Sequence, residues 1–339
     1  MNRWEVYFII TSVVLIILLT AVPLSLAVQK QKPSQPDQPN FGPGGADYQY
    51  SGVKVTTYGE GQNQYWIFEP DSKTTLSSPV IVFMHGWGAI TPTFYSAWIY
   101  HLVKKGNIVI YPRYQQDLTT PSDNFTPNSV KAIKDAIKVL ESGNHIKPQL
   151  DKFAIVGHSV GGLLSVNIAS VAATNGFPQP LAVFAVEPGK SRSTTDPTGP
   201  VLENLTNIPS NTLLLTMAGD QDNWVGDQDA RMIIRKTIQI PEKNKDFVMM
   251  ITDKYGYPPI TADHFFPLAS SIVVGNYNLT LLTNAQVYYG TWKLFDGLYD
   301  AAFYGKNREY ALGNTTKQRF MGFWSDGTKI KQLNVTDNH

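Results

Sequence analysis

Gly157-His158-Ser159-Val160-Gly161 is the segment whose residue types and spacing most plainly allow chemistry. A serine is a weak nucleophile until a base takes its proton, and it must also be presented where a substrate can reach it. The G-x-S-x-G spacing answers the second need. It predicts Ser159 at a sharp, strained turn from strand to helix, with Gly157 and Gly161 small enough to let the two elements approach. The following helix would aim its first amides at developing negative charge. Acyl transfer through a covalent serine intermediate is the chemistry this implies. A tight turn that merely opens a structural helix is the alternative.

Other chemistries find little support. The chain has no cysteine, which removes disulfides, thiolate nucleophiles and cysteine-ligated metals. Its carboxylates and histidines show no metal-ligand spacing, so neither a metal nor another cofactor is implied. Gly189-Lys190-Ser191 has the ending of a phosphate loop without the upstream glycines. With 28 basic and 27 acidic residues the net charge is +1, and no polybasic stretch is present to follow a nucleic-acid backbone.

The elements that would position Ser159 are legible as apolar runs. Strands are expected at 64–70, 79–86, 107–111, 153–156, 181–186, 212–218 and 246–251. Helices are expected at 94–105, 128–141, 161–173 and 227–236, the second with residues 130, 133, 137 and 140 on one face. The run Val80 to Met84 ends in His85-Gly86-Trp87-Gly88, and the run Phe153 to Val156 leads straight into the Ser159 segment. Strands of near-continuous apolar residues alternating with helices predict an α/β fold, a mostly parallel central sheet flanked by helices on both faces.

These segments, from about residue 60 to 275, resemble the α/β-hydrolase superfamily. The HG-W-G segment, the GHSVGG elbow and the compact spacing are most similar to its dienelactone hydrolase, acetylhydrolase and cutinase-like polyester hydrolase group. The resemblance implies an oxyanion hole from two main-chain amides, here Trp87 and Val160, with Gly86 and Gly88 keeping the loop close. The Trp87 indole could instead wall the acyl pocket, and His85 reads as a structural loop histidine. Gly219, Asp222 and Val225 match the G-x-x-D-x-x-V pattern of related enzymes, which implies Asp222 as the acid and leaves Asp220 as a turn or supporting carboxylate. The chain order Ser, Asp, His expected of the fold places the base downstream. Of His85, His101, His145, His158, His264 and His339, only His264 and the terminal His339 qualify, so His264 is selected. The expected function is an extracytoplasmic serine hydrolase that cleaves small-molecule or lipid-like carboxylic esters, polymers included. A peptidase or acyltransferase using the same residues, and a non-catalytic binding domain on this scaffold, are the other readings.

The flanks carry further expectations. Val6 to Val28 is 23 residues without a charge, enough as a helix to span a hydrocarbon layer of roughly 30 Å. It reads as a transmembrane anchor with the domain outside, or as a signal peptide cleaved after Ser25-Leu26-Ala27. Residues 29–45, rich in Pro and Gly, read as a linker, and 46–339 as the catalytic domain. Within it, 187–210 would form a short cap loop, with Trp224, Phe265 and Phe266 as rim or core. The extension 280–339 contains an aromatic amphipathic helix at 287–305, for packing or for lipid contact, and a terminal hairpin turning at Asp326-Gly327. Five N-x-S/T sequons, from Asn124 to Asn334, permit glycosylation without indicating it.

Overall fold

Val80, Val82 and Met84 face one side of their strand and Ile81 and Phe83 the other, and all five are inaccessible to solvent. Such a strand needs cover on both faces, which a parallel sheet between two helical layers supplies. In a computed structural model that describes residues 32–269, 273–274, 277–278 and 283–336, the strands are β1 (Val53–Tyr58), β2 (Tyr65–Pro70), β3 (Ser77–Met84), β4 (Ile108–Pro112), β5 (Lys147–His158), β6 (Ala182–Val186), β7 (Leu213–Gly219), β8 (Lys245–Met250), β9 (Val273–Val274), β10 (Tyr277–Asn278) and β11 (Asn334–Thr336). Nine of them form one sheet in the order β1-β2-β4-β3-β5-β6-β7-β8-β11. The run from β4 to β8 is parallel, whereas β1 and β2 at one edge and β11 at the other pair antiparallel. The α/β fold with a mostly parallel central sheet is thus as expected.

The helices are α1 (Ser96–Lys104), α2 (Phe125–Ser142), α3 (Val160–Asn175), α4 (Gln228–Lys236), α5 (Lys293–Tyr304) and the single turn α6 (Thr316–Arg319). On one face of the sheet, Trp98 and Leu102 of α1 share a core with Phe295 and Leu298 of α5. On the other, Ile133 and Leu140 of α2 pack with Leu164 and Ile168 of α3, and Ile233 and Ile234 of α4 with Phe247 of β8.

Four strands, β1, β9, β10 and β11, escaped the sequence reading. The edge strand β1 buries no residue fully, with only Val53, Thr56 and Tyr58 half-buried, while β9 and β10 are two residues long and β11 three. The terminal hairpin reduces to a turn at Asp326-Gly327 with a single bridge between Phe323 and Lys329. The aromatic segment 287–305 is a packing element: a π-helical turn, Val287–Trp292, runs into α5, whose residues from Lys293 to Tyr299 are all buried.

The expected N-terminal anchor or signal helix lies outside the described residues. Among the described residues no helix is long and apolar enough to cross a membrane. Ser34–His339 gather into one compact unit, so the Pro- and Gly-rich stretch from Ser34 onward lies on the domain rather than free of it. Gln35 bridges the Pro258 carbonyl (2.9 Å) and the Ala285 amide (3.0 Å), and the Gly44 amide donates to Asp296 at 2.8 Å. A segment poor in apolar residues is held here by hydrogen bonds to its partners.

Candidate active site

Ser159 stands where β5 stops and α3 begins, with φ of 58° and ψ of −125°. This backbone is strained for a residue with a Cβ, and strain of this kind persists only where surrounding structure enforces it. Two glycines make the turn possible. A Cβ on Gly157 would lie 2.1 Å from the Gly161 carbonyl oxygen, and one on Gly161 would lie 2.2 Å from that of Met84. The Ser159 amide donates to the Val186 carbonyl at 2.9 Å, which ties the elbow to β6.

β7 ends at Gly219, and the loop beyond it carries Asp222. β8 is followed by the loop that carries His264. Both loops emerge from the same end of the sheet as the serine elbow. There His264 Nε2 meets Ser159 Oγ at 2.9 Å and His264 Nδ1 meets Asp222 Oδ2 at 2.8 Å. All three side chains are buried. The other oxygen of Asp222 accepts from the Trp224 and Val225 amides, at 2.8 and 3.0 Å. Burial works to raise the Asp222 carboxyl, but hydrogen bonds with His264 and Glu187 and the Val225 amide outweigh it and hold it well below the usual carboxylate range. Asp222 is therefore an anion at neutral pH.

The remaining expected residues fall around this line. Among the described residues no acceptor takes the Trp87 N–H, and the Val160 N–H is one of the unpaired amides that open α3. Gly86 is committed elsewhere, its amide donating to Tyr95 Oη at 3.0 Å, and the Gly88 amide donates to Gln115 at 3.0 Å. His85 turns its ring nitrogens to the carbonyls of Gly86 and Arg113, both at 2.7 Å, and stacks on Tyr114. Burial lowers it to about 4, so it is a neutral strut. Asp220 accepts from the Thr252 amide and hydroxyl and holds a turn, and Asp263 accepts from the Phe265 amide.

Glu187 was missed. It follows β6 directly, has a φ of 48°, and is completely buried. Its carboxylate, that of Asp222 and an imidazole nitrogen of His264 lie within 4.8 Å of one another. Burial, then the adjoining Asp222, raises Glu187 well above the usual glutamate range, so it is a neutral acid that can donate to Asp222. Three ligand-type groups this close also suit a cation. A cation would need both carboxylates ionised, however, and Asp222 already spends both oxygens on hydrogen bonds. In the sequence, the only signal was an acid set immediately behind the apolar run AVFAV.

A cavity of about 670 Å³ opens above Ser159. Trp87, Phe94, Leu118, Trp224 and Phe265 line it and are all substantially exposed, forming an apolar rim. The Trp224 ring lies parallel to that of His264, with centroids 6.1 Å apart. Phe266, by contrast, is core. Lys190 and Pro200 of the expected cap loop complete the wall, and the loop is pinned by Ser191 to Asp229 and by Arg192 to Asp123. Chemically, the arrangement can take a proton from a serine hydroxyl, steady the resulting imidazolium and offer two amides to an oxyanion, beneath an apolar enclosure.

No curated protein matches the chain. The chlorophyllase family profile matches residues 41–217, just over half of it. The match takes in the Trp87 loop, the Ser159 elbow and Glu187, and ends before Asp222. On that match and this fold, the chain belongs to the chlorophyllase family of hydrolases, within the α/β-hydrolase superfamily.

Proposed function

We propose that this hydrolase cleaves carboxylic esters through an acyl-enzyme on Ser159, with His264 as general base and Asp222 as the acid that orients it. The observation that carries the reading is the single line Ser159–His264–Asp222, at 2.9 and 2.8 Å, beside two amides that meet no acceptor among the described residues. His264 Nε2 takes the Ser159 proton as Oγ attacks the ester carbonyl. Asp222, held ionised, fixes the proton on Nδ1 and faces the imidazolium that forms. The Trp87 and Val160 amides receive the oxyanion, an interaction worth roughly 3–4 kcal/mol per donor in sites of this kind. His264 then returns the proton to the leaving alcohol, and water repeats the sequence to free the acid. Glu187, protonated and within 4.8 Å of Asp222, adds no second negative charge beside it.

The apolar rim supports a water-insoluble ester, and the family name makes chlorophyll one candidate. The uncharged run 6–28 supports a place outside the cytoplasm, anchored or secreted. The test is hydrolysis of p-nitrophenyl esters from acetate to palmitate, and of chlorophyll, by the full chain and by Ser159→Ala. Turnover that vanishes in the variant is expected. A folded chain with no turnover across the series would overturn the ester reading and move weight to a peptidase, an acyltransferase or a binding domain.

A further inference from the structure

His158, beside the serine, and Tyr95, ahead of α1, are buried polar groups that the mechanism above does not use. They form a chain of hydrogen bonds whose direction can be worked out from its two ends. At one end His158 Nε2 lies 2.9 Å from the carbonyl oxygen of His264. A carbonyl only accepts, so Nε2 carries a proton. At the other end the Gly86 N–H lies 3.0 Å from Tyr95 Oη, and an amide only donates, so the phenol oxygen accepts there. Between them, Tyr95 Oη and His158 Nδ1 are 2.8 Å apart. A doubly protonated ring would leave the tyrosine proton without an acceptor. A ring protonated on Nε2 alone satisfies every group: Gly86 N–H to Oη, O–H to Nδ1, Nε2–H to His264 C=O. Burial, with His264 beside it, independently lowers His158 to about 3, which keeps the ring neutral.

The two ends of this chain matter. One is the backbone of the residue that bears the base. The other is the amide immediately before Trp87, whose own amide is the oxyanion donor of the proposed mechanism. His158 is also covalently joined to Ser159. We propose that Tyr95 and His158 are positioning residues that hold the base-bearing loop, the serine elbow and the Trp87 loop in one register by a directed hydrogen-bond chain. This inference rests on the ester-hydrolase reading.

The ring of Tyr95 packs against Phe83 at 5.0 Å, so Tyr95→Phe removes only the hydroxyl and keeps the packing. His158→Leu removes both imidazole partners, while His158→Gln restores one acceptor and one donor. The experiment measures kcat and KM of the full chain on p-nitrophenyl acetate for these variants and for the Tyr95→Phe/His158→Leu double, with thermal melts alongside. Tyr95→Phe is expected to lower kcat roughly 10- to 100-fold with KM changed less than about twofold, the pattern of a contact realised in the transition state. The double should be no worse than the worse single, because both break one chain. His158→Gln should recover most of what His158→Leu loses. Tyr95→Phe at wild-type kcat, or losses that multiply in the double, would overturn the inference. Should His158→Leu fail to fold, Tyr95→Phe against His158→Gln still decides it. Absence of turnover in the wild type is a separate result that removes the ester reading itself.

Discussion

His264 and His101 sit in two regions of the same domain, each buried, each against a carboxylate, at nearly the same distance. His264 meets Asp222 at 2.8 Å and His101 meets Asp296 at 2.9 Å. Under the proposed function, in which His264 is the base, the pair alone therefore cannot be what makes one. The second nitrogen of His101 faces Tyr48 Oη at 3.2 Å, and its ring stacks on Trp292 at 4.2 Å, sealed beneath α5. The second nitrogen of His264 faces a serine under an open cavity. A third pair, His145 with Glu69 at 2.7 Å, repeats the sealed pattern, its other nitrogen on Tyr58 at 2.8 Å. What separates a base from a strut is where the remaining nitrogen points and whether a substrate can come to it.

The comparison can be broken by exchanging losses between the regions. His264→Ala should cut kcat for a short ester by about 10⁴-fold or more while the melt moves little. His101→Ala should do the reverse. It leaves the buried Asp296 with the Gly44 amide but no histidine and should cost about 3–5 kcal/mol in urea unfolding, with kcat of the folded fraction near wild type. Next in size, Asp222→Asn should lower kcat by about 10³ to 10⁴, because the wrong imidazole tautomer is favoured. Asp296→Asn should cost about 1–3 kcal/mol of stability and no kcat.

Glu187 sharpens the contrast through pH. Burial holds it protonated well above 4.5, its ordinary value, so above that pH the unfolded chain ionises while the fold must take up a proton. Its stabilising contribution is complete below 4.5 and is lost as pH rises towards the folded-state value. Glu187→Gln removes this slope and keeps a donor for Asp222. Melts should show the variant gaining on wild type as pH rises above 4.5, by at most about 1.4 kcal/mol per pH unit. Tyr58→Phe, at the sealed His145, should be the smallest effect, about 0.5–1.5 kcal/mol of stability and unchanged turnover.

The sheet and the elbow were legible because they are local. Phe153 to Val156 followed by Gly157 and Gly161 states both a buried strand and the space the turn requires. Asp222 and His264 were legible through chain order and a loop pattern. Glu187 was not, because its partner lies 35 residues on, across a neighbouring strand, and an acid after AVFAV looks like the first residue of any loop. The chain from Gly86 through Tyr95 and His158 to His264 was invisible for the same reason. Residues 34–45 read as a linker from composition, whereas their anchors at Pro258, Ala285 and Asp296 are far off in sequence. The aromatic helix 287–305 left packing and lipid contact equally open until the face of the sheet it covers was known.

The most direct test of the open-nitrogen account is the site and rate of covalent trapping. The full chain would be treated with a fluorophosphonate, digested, and its adduct located by mass spectrometry, alongside His264→Ala and His101→Ala. A single adduct on Ser159, formed as fast in His101→Ala as in wild type and slowed at least about 10³-fold in His264→Ala, is the expected result. An adduct on another serine, or labelling of Ser159 that is indifferent to His264, would contradict it.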